Sequence, residues 1–392
     1  PGDDSGLGYP WCCMGCRCWL RRTVPHVCPV DWSRSNEDQR HMNRCNVSGP
    51  IGYVPHSPDL NRPMDRRRFP RYADFRDIEF DIVSNWQNHE IVVLSPAADL
   101  TTWINVPRDR LVIVDLPDAY LDERRGLRRS VRGLAKWFTG ESSHPVASYR
   151  HLTERMLERA DAVICSTEEQ ATNIASFNEN VHPILDLHGE FEFLPPGIRR
   201  SGRFDIVWEG LPTTLKSVQQ VLPAFRALAK RAKVRLHLVT DLSGPRYMNR
   251  FVVRRTEDVV TDWGIDIRIH QWSIETLTEV ARSCDLAIVP VDLTNPMAVG
   301  KPENRMRIFW RLGLPVVVSA NPAHTRAAEL AGLGNRVLCS TTEDWETTLA
   351  ELSSRPDLRL KIALAGQATA RASYSDESLA TRWDWVIENL QH

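Results

Sequence analysis

Residues 285–320 read DLAIVPVDLTNPMAVGKPENRMRIFWRLGLPVVVSA, and this stretch decides the fold. Asp285-Leu286-Ala287-Ile288-Val289 is a short apolar run closed by Pro290, and Pro315-Val316-Val317-Val318-Ser319 is a second. Between them lie a polar loop and a segment of helical character, 302–312, which stops at Gly313. Two apolar strands joined by a helix are the repeating unit of a parallel sheet. In open parallel sheets, ligands bind where strands end and the following helices begin. Here that junction is Gly300-Lys301-Pro302-Glu303-Asn304-Arg305. Pro302 suits the first position of a helix, where its missing N–H would have no partner anyway. The free N–H groups of that turn, with Lys301 and Arg305, predict a cradle for an anion such as a diphosphate. Glu303 fits as a negative charge at a helix N-terminus.

The same plan extends in both directions. Short apolar runs at 51–54, 80–83, 91–94, 111–115 and 162–165 predict buried strands, with helical periodicity over 121–138, 149–159 and 168–177. Strands are expected again at 205–208, 234–239, 267–270, 286–289, 315–319 and 336–339. Helices are expected between them at 214–230, 274–282, 302–312, 324–331 and 342–352. Alternating strands and helices predict an α/β protein of doubly wound parallel sheets. Two domains are the natural division of 392 residues. Phe193-Leu194-Pro195-Pro196-Gly197 marks the linker, since paired prolines followed by glycine end regular structure. The expected layout is 48–195, then 196–375, then a closing helix within 376–392. Trp383, Trp385, Val386 and Leu390 form the apolar face of that last helix.

Composition is that of a soluble globular chain, 42% hydrophobic and 25% charged. A net charge of -1 argues against broad electrostatic binding to nucleic acid. No apolar run reaches the roughly 18 residues of a membrane helix. Cys12, Cys13, Cys16, Cys18, Cys28 and Cys45 crowd the N-terminal segment, while Cys165, Cys284 and Cys339 each stand beside a predicted strand. Those three read as small buried apolar residues of a reducing compartment. Residues 1–47 show no helical or strand period and read as a disordered or spurious extension. A metal knuckle from Cys13, Cys16, His26 and Cys28 is the alternative there, though His-x-Cys is tight for zinc. No Asp-x-Asp follows a suitable strand, so no bound metal is expected.

The junction resembles the donor-binding region of GT-B glycosyltransferases of the retaining, nucleotide-sugar type (glycosyl transferases group 1, or family 4-like). Lys301-Pro302-Glu303-Asn304-Arg305 and Leu312-Gly313-Leu314-Pro315-Val316-Val317 stand where that family carries Lys-Ser-x-Asn-Lys and Gly-x-Pro-Val-Val. Ile51-Gly52-Tyr53-Val54-Pro55-His56-Ser57-Pro58-Asp59 resembles its first strand and loop. Ala160-Asp161-Ala162-Val163-Ile164-Cys165-Ser166-Thr167-Glu168 resembles a late strand and helix of its first domain. Asp205-Ile206-Val207-Trp208-Glu209-Gly210, followed by Lys216, resembles the opening of its second. There is one departure. The family carries two Glu residues eight positions apart, the second holding ribose, and here Gly300 and Ile308 occupy those positions.

The resemblance implies a GT-B fold of two Rossmann-like domains facing a cleft. It implies a metal-independent hexosyltransferase without a cofactor, moving sugar from a nucleotide-sugar donor to a glycan or lipid-linked acceptor in surface polysaccharide biosynthesis. The donor side is expected at Gly210, Lys216, Pro290, Lys301, Asn304 and Arg305. On the acceptor side, His56 and Asp118 are the catalytic candidates. Ser57, Asp59, Arg66, Arg67, Arg68 and Asp115 are the candidates for acceptor or phosphate contact. Three adjacent arginines cannot share one helix face, so one is expected at the cleft and another in water. Ser166-Thr167-Glu168-Glu169 reads as a capped helix start. A cytoplasmic protein is implied, with peripheral contact at the inner face of the membrane left open. The alternatives are a non-catalytic nucleotide- or sugar-binding module, which Ile308 favours, and a nucleotide-sugar epimerase.

Overall fold

The computed structural model describes residues 50–122, 142–146, 148–199, 202–245 and 253–390. The N-terminal segment with its cysteines, and most of the helix expected over 121–138, lie outside the described residues. Residues from Val47 onward form one compact unit.

Apolar runs become the centre of a first sheet because parallel strands are covered on both faces. β1 (Ile51–Val54), β3 (Ile91–Leu94) and β5 (Ala162–Cys165) are buried along their whole length, and β4 (Leu111–Leu116) nearly so. The order is β2-β1-β3-β4-β5-β6, all parallel. β2 (Phe80–Ile82) and β6 (Val181–Pro183) are its shorter, partly exposed edges. β6 was not expected, because Val-His-Pro carries no apolar run.

The second sheet contains β7 (Phe204–Glu209) and β8 (Val234–Thr240). A separate antiparallel ribbon, β9 (Ser243–Pro245) with β10 (Val253–Arg255), follows and is too short to show a period. β11 (Asp266–Gln271), β12 (Leu286–Val289), β13 (Val316–Ser319) and β14 (Leu338–Cys339) complete the sheet. The order β11-β8-β7-β12-β13-β14 is again all parallel. Cys165, Cys284 and Cys339 are free and buried, and burial pushes the thiols of Cys165 and Cys339 up to about 12.

Two helix expectations need correction. The segment 214–230 is two helices, Leu215–Gln220 and Leu222–Ala229, because Pro223 brings no N–H to continue the first. The helix at the decisive junction runs Asn304–Arg311, with Glu303 as its N-cap, so Lys301 and Pro302 precede it. Asn321, fully buried, donates from Nδ2 to the carbonyls of Val299 (3.2 Å) and Lys301 (2.9 Å). Those carbonyls are thereby held out of helical register.

The last helix, Asp376–Leu390, packs on the first sheet's layer. Trp383 stacks on Tyr72 at 5.5 Å, and Tyr72 donates to Asp384 Oδ1 at 2.9 Å. Arg76 adds ion pairs to Asp384 (2.7 Å) and Glu377 (2.8 Å). No helix among the described residues is long and apolar enough to cross a membrane.

The connection between the sheets passes tightly under the junction helix. Leu194 N donates to Arg311 O at 2.9 Å, and a Cβ on Gly313 would stand 2.6 Å from the carbonyl oxygen of Leu194. Gly313 has φ +72, and Gly332 has φ +64 with open space around its Cβ position. Left-handed backbone alone costs a side chain about 1–2 kcal/mol. Gly332→Ala is therefore expected to lose about that much stability in denaturant titration. Gly313→Ala should lose clearly more, and equal losses would contradict the close approach.

Candidate functional site

β7 is where the strand order of the second sheet reverses, with β8 on one side and β12 on the other. Such a reversal leaves a crevice beyond the strand ends. Glu209 and Gly210 stand at the end of β7, and buried Pro290 ends β12. A Cβ on Gly210 would meet the Trp208 ring at 2.6 Å and Arg305 Nη1 at 3.0 Å, so only glycine leaves this floor low. Arg305 Nη1 donates to Glu209 O at 3.1 Å. Lys301 lies half-buried beside it, on the loop held by Asn321. Burial, then the charge of Arg305, holds the Lys301 ammonium below its usual range, while Asp118 pulls the other way. Burial likewise lowers Arg305, against Glu209 and Asp118. The Arg305 charge thus acts on half-buried Lys301, and Asp118 of the other domain acts on both. An anion placed between them relieves both charges.

Asp118 follows β4 and is half-buried beside a small pocket lined by Leu116, Tyr120, Gln170 and Ile174. Gln170 ties the two sides together, donating from Nε2 to Pro117 O (3.3 Å) and Gly300 O (3.5 Å). Its backbone belongs to the capping box with Thr167 that starts Glu168–Ile174, as the sequence suggests. Glu169 pairs with Arg326 across the same gap. Farther along, Arg66 lies 4.5 Å above the Trp272 ring, and Trp272 Nε1 donates to Glu209 Oε1 at 3.0 Å.

The other expected residues divide. The loop after β1 is organised by Asp65, fully buried, which accepts from Tyr53 Oη (2.8 Å), His56 N (2.6 Å), Ser57 N (2.9 Å) and Ser57 Oγ (2.7 Å). Ser57 is therefore occupied inside the loop. His56 is exposed at the strand end, and Asp59 is exposed and bound to the backbone and side chain of Asn61, which hold its carboxyl low.

The arginine run corrects the expectation: among Arg66, Arg67 and Arg68, none is given over to water. Arg68 and Asp115 form a buried pair at 2.5 Å, both side chains 1% exposed and occupied by each other. Burial pushes Asp115 up against the pull of Arg68. Arg67 is held by Glu190 at 2.5 Å, and Arg66 alone faces the cleft. On the donor side, Lys216 is exposed in the first turn of Leu215–Gln220. Asn304 Oδ1 is taken by Arg307 Nη1 at 3.0 Å, and Pro290 has only backbone to offer. The described residues contain no group of three His, Cys, Asp or Glu placed to hold a metal.

Sequence reasoning missed Asn321, Trp272 and Glu209. Glu209 was legible by the strand-end logic that selected Gly210. Trp272 was one of 13 tryptophans, with nothing to set it apart.

No protein-family model and no curated protein matches the chain. Solved structures do. HepE of Anabaena, in complex with UDP and glucose, is 13% identical with a TM-score of 0.57, over 87% of this chain and 99% of that one. WaaG, a glycosyltransferase involved in lipopolysaccharide biosynthesis, is 13% identical with a TM-score of 0.51, over 86% and 99%. TarM is 11% identical with a TM-score of 0.52 over 75% of this chain, which spans only 54% of TarM. With two parallel six-stranded sheets and a crevice at the strand reversal, these likenesses identify the fold of this chain as GT-B.

Proposed function

We propose that the protein is a glycosyltransferase that moves a sugar from a nucleotide-diphosphate sugar to a glycan or lipid-linked acceptor, with retention at the anomeric carbon. The observation that carries this reading is the convergence of Lys301 and Arg305, beside Gly210, on a cleft wall that presents Asp118. A leaving diphosphate needs its charge met where it develops. Two cations already crowded together do that without a metal ion, so activity should persist in EDTA. Gly210 lets the phosphates approach the backbone. Asp118 orients the acceptor hydroxyl or receives its proton, and exposed His56 is the second candidate at the acceptor side. The structure of HepE with UDP makes a uridine diphosphate the first donor nucleotide to test. Work on surface polysaccharide is in keeping with the likeness to WaaG, and a place in the cytoplasm or at the inner membrane face follows from the same reading.

A non-catalytic nucleotide-binding module is the second reading. Ile308, 1% exposed, has no side-chain acceptor for ribose and lies in the core. An epimerase is the third. Hydrolysis or transfer of a bound nucleotide sugar supports the first reading. Binding without turnover supports the second, and interconversion of nucleotide sugars without acceptor supports the third.

Lys301→Ala removes one charge-assisted contact, worth about 1.5–3 kcal/mol, so nucleoside diphosphate affinity is expected to fall roughly ten- to hundredfold by calorimetry. Unchanged affinity in a folded variant would remove the donor-site assignment. The depressed ammonium gives a pH signature: protonated Lys301 attracts the diphosphate, so affinity should decline as pH rises through its lowered pKa, earlier than for an ordinary lysine. Lys301→Arg, which stays charged, should flatten that decline.

Asp118→Asn keeps the shape and removes the charge. Turnover is expected to drop by roughly 10²–10⁴-fold, while nucleotide affinity holds or rises, because Asp118 no longer competes for Lys301 and Arg305. A loss confined to nucleotide affinity would move Asp118 out of the acceptor side.

A further inference from the structure

The segment joining the two sheets crosses a cluster of arginines that the glycosyl-transfer reading does not use. Leu187 N donates to Arg67 O at 2.9 Å, and Arg307 Nη2 donates to Asp186 O at 3.0 Å. His188 sits between them, fully buried, and its backbone N–H donates to Asp376 Oδ1 at 3.2 Å. Neither ring nitrogen of His188 finds a hydrogen-bond partner among the described residues. The same holds for the buried Nη2 of Arg66, Nη2 of Arg67 and Nε of Arg307.

Cations crowd around this point. The guanidiniums of Arg307, Arg67, Arg311 and Arg66 all act on the His188 ring, which burial first and then these cations hold neutral. Glu190 is shared by Arg67 (2.5 Å) and Arg66 (3.6 Å), and Asp376 takes Arg311 at 3.4 Å. Asp186 is taken by Arg68, and Glu303, which accepts from Tyr374 Oη at 3.2 Å, acts on Arg307. Buried donors are almost always satisfied by protein, water or a bound group. Guanidinium N–H groups left without an acceptor suit the oxygens of a tetrahedral oxyanion.

We propose that Arg66, Arg67 and Arg307, grouped round His188 where the connecting segment meets both domains, form a second anion site for a phosphoryl group. It uses neither residue of the cation pair at Lys301 and Arg305. Arg66 is its entrance, since that side chain is 20% exposed and lies over Trp272 at the cleft. Arg67 and Arg307 stand behind it, with His188 as a neutral polar wall. The phosphoryl group is either free phosphate or one carried by the acceptor. The site stands whether or not the donor reading holds.

The test is isothermal titration calorimetry of the full chain with inorganic phosphate, at fixed ionic strength with chloride as the balancing anion. Lys301→Ala protein is titrated beside the parent, because phosphate also fits the donor-side cations. Both proteins are expected to keep a phosphate site, weakened roughly tenfold or more in Arg66→Gln and Arg67→Gln. Circular dichroism checks folding, and Arg66→Gln, at the more exposed position, decides the matter if Arg67→Gln does not fold. Glucose 6-phosphate, with glucose as control, separates the sources. Binding of the sugar phosphate that is lost in Arg66→Gln upholds a carried phosphoryl group, and binding of inorganic phosphate alone upholds the free ion. No phosphate bound to the Lys301→Ala protein, or binding that neither arginine variant weakens, overturns the site.

Discussion

The rest of the structure depends on how arginines hold the one crossing between its two sheets. Arg68 donates to Ile184 O at 2.6 Å, Arg307 to Asp186 O at 3.0 Å and Arg311 to Phe191 O at 2.9 Å. The first comes from one domain and the other two from the second. Each places a buried charge on backbone carbonyls of a segment that has no sheet to satisfy them. Arg68 is anchored in turn by Asp115, and leaving either partner alone in the core would cost about 3–5 kcal/mol. The last helix adds Asp376, which holds the His188 amide and Arg311. The crossing is thereby fixed from three directions. The separation between Asp118 on one domain and Lys301 on the other is set by these contacts together with Gln170, which bridges Pro117 O and Gly300 O beside them.

That division of labour explains the electrostatics of the cleft. The arginines that hold the frame have carboxylates or carbonyls for partners, as Arg68 and Arg311 do. Lys301 has the charge of Asp118, and Arg305 has those of Asp118 and Glu209 and the Glu209 carbonyl, with burial disfavouring both charges. On the proposed donor reading, a diphosphate would restore at the strand reversal what burial removed. Asn321 sustains the arrangement from behind by holding the loop that carries Lys301.

Much of this was legible in the sequence, for a physical reason. Buried parallel strands are continuous apolar runs, so β3, β5, β12 and β13 could be read directly, and Gly313 marked the helix end. Lys301 and Arg305 could be named as candidates because strand ends position ligands in this architecture. What escaped depends on pairing across long sequence distances. Nothing near Arg68 announces Asp115, 47 residues away, so two interior partners read as ligand contacts. Nothing near Lys301 announces Asn321 or Trp272. The start of the Asn304–Arg311 helix was misplaced because Pro302 satisfied a local preference that the Asn321 hydrogen bonds override.

Backbone hydrogen exchange with and without a nucleoside diphosphate tests the central claim most directly, since it reports where the ligand sits without altering a residue. Slowed exchange at residues 210–216 and 300–305, on the two strand ends of the second sheet, is the expected result. Protection elsewhere, or none at saturating nucleotide, would contradict the assignment of the cleft as the donor site.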